Sequence, residues 1–136
     1  PLNDKTKKIM VIRDPATAAC PKYLLRRMRA IQLKEDPDSK KILQDIREKL
    51  KKSGIDYFHL PPIVQIMEYV MLELGQPLHA FDADRLGKNI YVRFAKEKEK
   101  LTLLNQQTVE LHPHTLVIAD EYHPLAIAGV MGGMDS

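Results

Sequence analysis

His79 is the side chain whose neighbours best equip it for chemistry. It follows Tyr69-Val70-Met71-Leu72-Glu73-Leu74-Gly75-Gln76-Pro77-Leu78 and precedes Ala80-Phe81-Asp82. Gly75 stands where a helix needs a left-handed residue to close, and Pro77 follows where no helix can continue. The spacing predicts a helix end, a sharp turn and a polar loop, so the imidazole is presented from a turn rather than from a helix face. A neutral imidazole both donates and accepts, and can therefore hold a water or a carbonyl. A loop histidine can equally hydrogen-bond nearby backbone, and the spacing alone leaves both readings open.

Gly129-Val130-Met131-Gly132-Gly133 is the second candidate. Glycine supplies conformations that other residues avoid, so the run reads either as a strand-ending turn or as backbone that a ligand approaches closely. Gln65 and Glu68 are three apart and share a face of a predicted helix. A buried carboxylate is costly unless paired, so Glu68 is expected to reach a partner or to line a cavity. If it lies beside His79, its charge favours the imidazolium and raises the histidine pKa. His112 and His114 flank Pro113; two histidines on a turn can bind metal, but no third ligand is evident and a surface turn is the ordinary reading. His59 and His123 sit in loops with no partner pattern. Cys20 is the only cysteine, and alone it builds neither a disulfide nor a zinc site, which points to a reducing compartment and to no metal.

These residues need elements to hold them. Ile9-Met10-Val11-Ile12 suits a strand within residues 8–13, with a turn over 14–19, and residues 1–7 are polar and expected to fray. Tyr23 to Leu33 is a longer candidate strand whose alternation is interrupted by Arg26, Arg27 and Arg29. Asp36-Pro37-Asp38-Ser39 is a helix start, with Asp36 as cap and Pro37 at the first helical position. Ile42, Ile46 and Leu50, with Leu43 beside them, form an apolar stripe, and Gly54 ends the helix. Its lysines read as a solvated face. After a loop over residues 56–62, Ile63 to Leu74 forms a second helix, apolar nearly all round and so expected to be buried. Beyond His79 the pattern turns to strands: Ile90 to Phe94, a hairpin of Leu101–Leu104 and Thr108–Leu111 around Asn105-Gln106-Gln107, then Thr115–Ala119 and Leu125–Val130. The fold class is α+β, two helices followed by an antiparallel-rich layered sheet, incomplete at the C-terminus.

The bulk numbers agree with a globular chain. Its 136 residues, 44% hydrophobic and 29% charged, are enough for one domain with a core, and nothing resembles a disordered tract. A net charge of +3 permits contact with RNA without demanding it. No apolar run approaches the roughly 20 residues of a membrane span, and no signal peptide opens the chain. Starting at Pro1 and ending just after a glycine run, it reads as a fragment, with residues 1–136 forming part of one domain.

Five segments also occur in the order and spacing of one family: Cys20-Pro21-Lys22-Tyr23-Leu24, Ser53-Gly54-Ile55, the stretch from Tyr69 to Asp82, Leu116-Val117-Ile118-Ala119-Asp120, and Pro124-Leu125-Ala126-Ile127-Ala128 with the glycine run. Over most of residues 18–136 the chain resembles the editing, tRNA-binding domain of the beta subunit of bacterial phenylalanyl-tRNA synthetase. That resemblance implies a cytoplasmic aminoacyl-tRNA synthetase that ligates phenylalanine to tRNA(Phe), with ATP and magnesium used at a site on the alpha subunit and no cofactor in this domain. The implied partners are tRNA(Phe) and the alpha subunit, and no membrane. The domain's own reaction is then hydrolysis of tyrosine wrongly esterified to tRNA(Phe). The resemblance makes His79 the catalytic residue that orients the ester, and places Pro77, Met67, Glu68, Gly129, Gly132 and Gly133 against the substrate. It continues beyond residue 136, where further pocket residues lie. Three positions depart from the pattern: Met67-Glu68 stands where the family usually has Thr-Asn, and Gln65 where it usually has Asp. The run from Asp56 to Pro62 also differs. The alternative is therefore a non-catalytic tRNA-contact or structural binding module with a degenerate pocket.

Overall fold

The computed structural model describes residues 9–13, 18–28 and 36–134. The chain divides into two compact units, a helical one spanning Met28–Ala80 and a sheet unit made of Pro1–Arg27 with Phe81–Ser136.

The helical unit is a pair of helices, α1 (Pro37–Lys52) and α2 (Pro62–Leu74). Asp36 caps α1 by accepting from the Ser39 amide at 2.9 Å, and Pro37 occupies the first turn, where its missing N–H costs nothing. Those donors hold the Asp36 carboxyl below its ordinary pKa. The stripe is narrower than expected. Ile46 and Leu50 are buried and Leu43 half-buried, but Ile42 is 61% exposed. At about 100° per residue, Leu43, Ile46 and Leu50 fall within about 60° of one another, whereas Ile42 lies beyond their edge on the far side of Ile46.

α2 starts and stops as expected. Gly75 closes it in the left-handed region at φ 64°, its amide donating to the Met71 carbonyl at 2.8 Å. The expected full burial is not found. Its one buried residue is the polar Gln65, while Leu72 and Leu74 are exposed. A hairpin partner covers one side of a helix, and the side α2 turns to α1 carries Gln65, Tyr69 and Glu73, each bonded to an α1 side chain.

In the sheet unit the strands are β1 (Met10–Arg13), β2 (Asn89–Phe94), β3 (Lys100–Thr102), β4 (Thr108–Glu110), β5 (Leu116–Ala119), β6 (Pro124–Ile127) and β7 (Met131–Gly132). Five make a sheet in the order β1-β2-β5-β6-β7, and β3 and β4 form the expected hairpin. Among the described residues, only the β1–β2 pair is parallel. The α+β, antiparallel-rich reading is thus borne out. Ile90 and Val92 alternate inward along β2 and are fully buried with Leu86, Ile118, Leu125 and Ala126. The other face packs Ala95, Leu101, Leu103, Leu111, Val117 and Ala119. At the charged turn after β2, Arg93 and Glu99 form a two-pronged ion pair at 2.7 and 2.8 Å, which keeps the Glu99 carboxyl ionised below its usual range.

Two strand expectations change. The described part of the expected strand Tyr23–Leu33, residues 23–28, has no strand ladder. Instead Cys20, Tyr23 and Leu25 pack on the Ile90 cluster, and Leu24 is 80% exposed. The alternation was real, but it serves packing against a sheet rather than pairing within one. Burial there, with Cys20 nearby, raises the Tyr23 phenol to about 12. The strand expected over Leu125–Val130 is β6 and ends at Ile127, because Gly129 turns the chain back into β7. The fraying expected for 1–7, the turn residues 14–17 and the segment 29–33 lie outside the described residues, among which no helix is long and apolar enough to cross a membrane.

Candidate functional site

His79 stands five residues past the end of α2, on the stretch directed by Gly75 and Pro77. Its surface is exposed, yet the atoms packed about the ring remove enough water to hold its pKa below the ordinary 6.5. The ring is therefore mostly neutral at pH 7. The direction is opposite to the rise expected if Glu68 lay beside it, and desolvation, which disfavours the cation, is its cause. Glu68 is half-buried on α2 and has no hydrogen-bond or ion-pair partner among the described residues. Met67 beside it is half-buried and Pro77 exposed.

Gln65 is committed to structure. Arg47 Nε donates to its Oε1 at 2.8 Å, and its amide nitrogen donates to the carbonyls of Leu60 at 2.8 Å and Tyr57 at 3.3 Å. All of its side-chain hydrogen-bonding directions but one are thereby filled. Beside this network Lys49 reaches the Tyr69 hydroxyl at 2.8 Å and Glu73 at 3.4 Å, and lines an open groove with Lys52, Ser53 and Leu72.

The glycine run belongs to the sheet unit. Gly129 has φ 70°, in a turn closed by the Val130 amide on the Ile127 carbonyl at 3.1 Å. Gly132 is buried in β7 opposite Ala126, and its carbonyl accepts from the Leu104 amide at 3.1 Å. Gly133 donates to the Leu125 carbonyl at 2.7 Å and bridges to Leu103. A Cβ at Gly133 would sit 2.8 Å from the Leu125 oxygen and 2.7 Å from Leu101 Cδ1. The run thus turns the chain and knits the β3–β4 hairpin to β6. Gly129 and Gly133 have reasons for being glycine that need no ligand. Met67, Glu68, Pro77 and His79 are positioned by the helical unit, and Gly129, Gly132 and Gly133 by the sheet unit.

Sequence reasoning missed a carboxylate clasp. The buried Asp120 side chain accepts from the amides of Tyr122 at 2.8 Å, His123 at 2.9 Å and Gly87 at 3.2 Å. Burial alone would raise its pKa, but these donors outweigh it and keep the group ionised. Glu121 in turn accepts from the Lys88 amide and Asn89. The available signal was an acidic pair closing a buried strand, with a glycine just ahead of another. The His112 and His114 rings lie 5.3 Å apart, and His112 Nδ1 accepts from the His114 amide. No group of three metal-ligating side chains occurs among the described residues.

Residues 19–136 match the family model of the B3/4 domain. The chain belongs to this family. Among curated proteins, this B3/4 domain is 49% identical over 94% of its length to a phenylalanine–tRNA ligase beta subunit of Coxiella burnetii. It is 47% identical over 96% to that of Photorhabdus laumondii and 49% over 89% to that of Idiomarina loihiensis. The resemblance in the five segments is thus upheld across most of the chain. The chain spans 14–16% of the length of these relatives.

Proposed function

We propose that this B3/4 domain is part of a phenylalanine–tRNA ligase beta subunit and serves there to hydrolyse tyrosine wrongly esterified to tRNA(Phe). The observation that carries the reading is identity of 47–49% over about nine-tenths or more of the chain with subunits of that name. The chemistry has a clear need. A hydrophobic pocket sized for phenylalanine rejects an added hydroxyl only weakly, so a second, hydrolytic site supplies the missing discrimination. Water attacks the ester carbonyl, the bond to the terminal ribose oxygen breaks, and that oxygen takes a proton, leaving tyrosine and free tRNA. His79, whose burial disfavours the cation, accepts a hydrogen bond from the attacking water and orients it. Partnership with the alpha subunit, ATP and magnesium in the ligation step, and a cytoplasmic setting belong to the complete enzyme on this reading.

A second reading, a non-catalytic tRNA-contact or structural module, is favoured by Gln65. It stands at a position the family resemblance gives to a carboxylate, and it is occupied by Arg47, Tyr57 and Leu60. The deciding experiment measures tyrosine release from Tyr-tRNA(Phe) by the complete ligase and by its His79→Ala variant. The expected outcome is release by the wild type and a loss of roughly a hundredfold or more in the variant. No release by a wild type that still binds tRNA establishes the second reading.

A further inference from the structure

The loop between the helices presents an aromatic ring to solvent on a fixed base. Phe58 is 76% exposed, and its ring stacks on Tyr57 with centroids 4.6 Å apart and planes 23° from parallel. A large exposed apolar side chain on a mobile loop would mean little. This loop is pinned at each step. The Phe58 amide donates to Asp56 Oδ1 at 3.1 Å, and the Leu60 amide to the Tyr57 carbonyl at 3.0 Å. Gln65 holds the carbonyls of Tyr57 and Leu60 from below. The polar residue buried in α2 thus holds the backbone that carries the exposed Phe58 ring.

The surroundings carry positive charge. α1 closes on Lys49, Lys51 and Lys52, all exposed, and His59 beside Phe58 is exposed. The loop springs directly from that end: the Ile55 amide donates to the Leu50 carbonyl at 3.0 Å and the Gly54 amide to the Lys51 carbonyl at 3.1 Å. Glu73 offsets Lys49, leaving Lys51 and Lys52 for an anionic partner. An exposed aromatic ring on a loop that leaves a lysine-rich helix end matches the chemistry of single-stranded nucleic acid, where bases stack on rings and phosphates meet cations. We propose that the loop Asp56–Leu60 is a stacking contact for an unpaired nucleobase of single-stranded RNA, with Phe58 as the platform and Lys51 and Lys52 on the flanking phosphates. The proposal rests on the reading of this chain as part of an RNA-handling enzyme.

The chain contains no tryptophan, so Phe58→Trp introduces its one indole, excited selectively over the tyrosines, at the proposed contact. Titration of the 136-residue chain carrying Phe58→Trp with a single-stranded RNA decamer should quench its emission, and a duplex of equal length should quench it far less. By anisotropy, Phe58→Ala should weaken decamer binding about five- to a hundredfold. The double change Lys51→Gln, Lys52→Gln should reduce the slope of log affinity against log salt by about 1.4. Unchanged emission at saturating RNA, or wild-type affinity in Phe58→Ala, overturns the proposal. The tyrosine-release assay reads the proposed function separately and can fail independently of this contact.

Discussion

The two units are stabilised by different physics. In the sheet unit, apolar strands bury two clusters, and Ile90, Val92, Val117 and Leu125 are essentially without solvent contact. In the helical unit, Ile46 and Leu50 are the buried apolar side chains described, and the helix contacts run through Arg47 with Gln65 and Lys49 with Tyr69 and Glu73. Burial by area is non-directional and tolerates small displacements, whereas hydrogen bonds fix positions but contribute only about 0.5–1.5 kcal/mol each. The sheet unit is therefore the source of stability. The helical unit is the source of placement, and it carries both His79 and the Phe58 loop.

Removing core volume separates the two most sharply. Leu125→Ala, at a position 1% exposed, should cost about 2–5 kcal/mol, since the surrounding strands close the cavity only in part. Ile42→Ala, in the stripe that the sequence marks as core, should stay within about 0.5 kcal/mol. Urea unfolding of both variants decides the matter. A costly Ile42→Ala would mean that the helix buries that side chain in solution, and the contrast between the units would weaken.

A smaller effect is expected where the sheet unit uses close backbone approach. Gly133→Ala places a Cβ against the Leu125 carbonyl and Leu101, a clash with backbone that no rotamer relieves, and should cost about 1–3 kcal/mol. Gly54→Ala meets no atom within 4 Å and strains only the φ of 75°, so about 1 kcal/mol is expected. Equal melting temperatures for the two variants would remove the knitting role of Gly133. These glycines show the limit of what the sequence disclosed. Helix caps at Asp36 and Gly75, the β3–β4 hairpin and the alternation in β2 are local patterns, and each was legible. The Gly133 contact with Leu101 and Leu103 and the Asp120 clasp depend on residues far apart in the chain, as with Gly87 and Asp120. The burial of Gln65 rather than its apolar neighbours was hidden for the same reason, because the covered side of a helix is chosen by its partner. Of the candidate site, the presentation of His79 from a capped turn could be read ahead, and the direction of its pKa could not.

The smallest effect concerns that histidine, and it tests whether placement in the helical unit includes electrostatic tuning. The folded pKa lies below 6.5 because burial disfavours the cation. The unfolded chain then binds a proton first as pH falls. His79 costs no stability well above 6.5, and its penalty grows as pH drops from there through the folded value. A carboxylate at Glu68 close enough to matter would act in the opposite direction and raise the pKa. Proton NMR titration of His79 should give a midpoint under 6.5 in the wild type and the same midpoint in Glu68→Gln. A midpoint above 6.5 that falls on removal of the carboxylate would make the two residues a coupled pair. His79 would then be partly cationic at neutral pH and a poorer acceptor for water, and the hydrolytic reading would lose the neutral imidazole on which its chemistry depends.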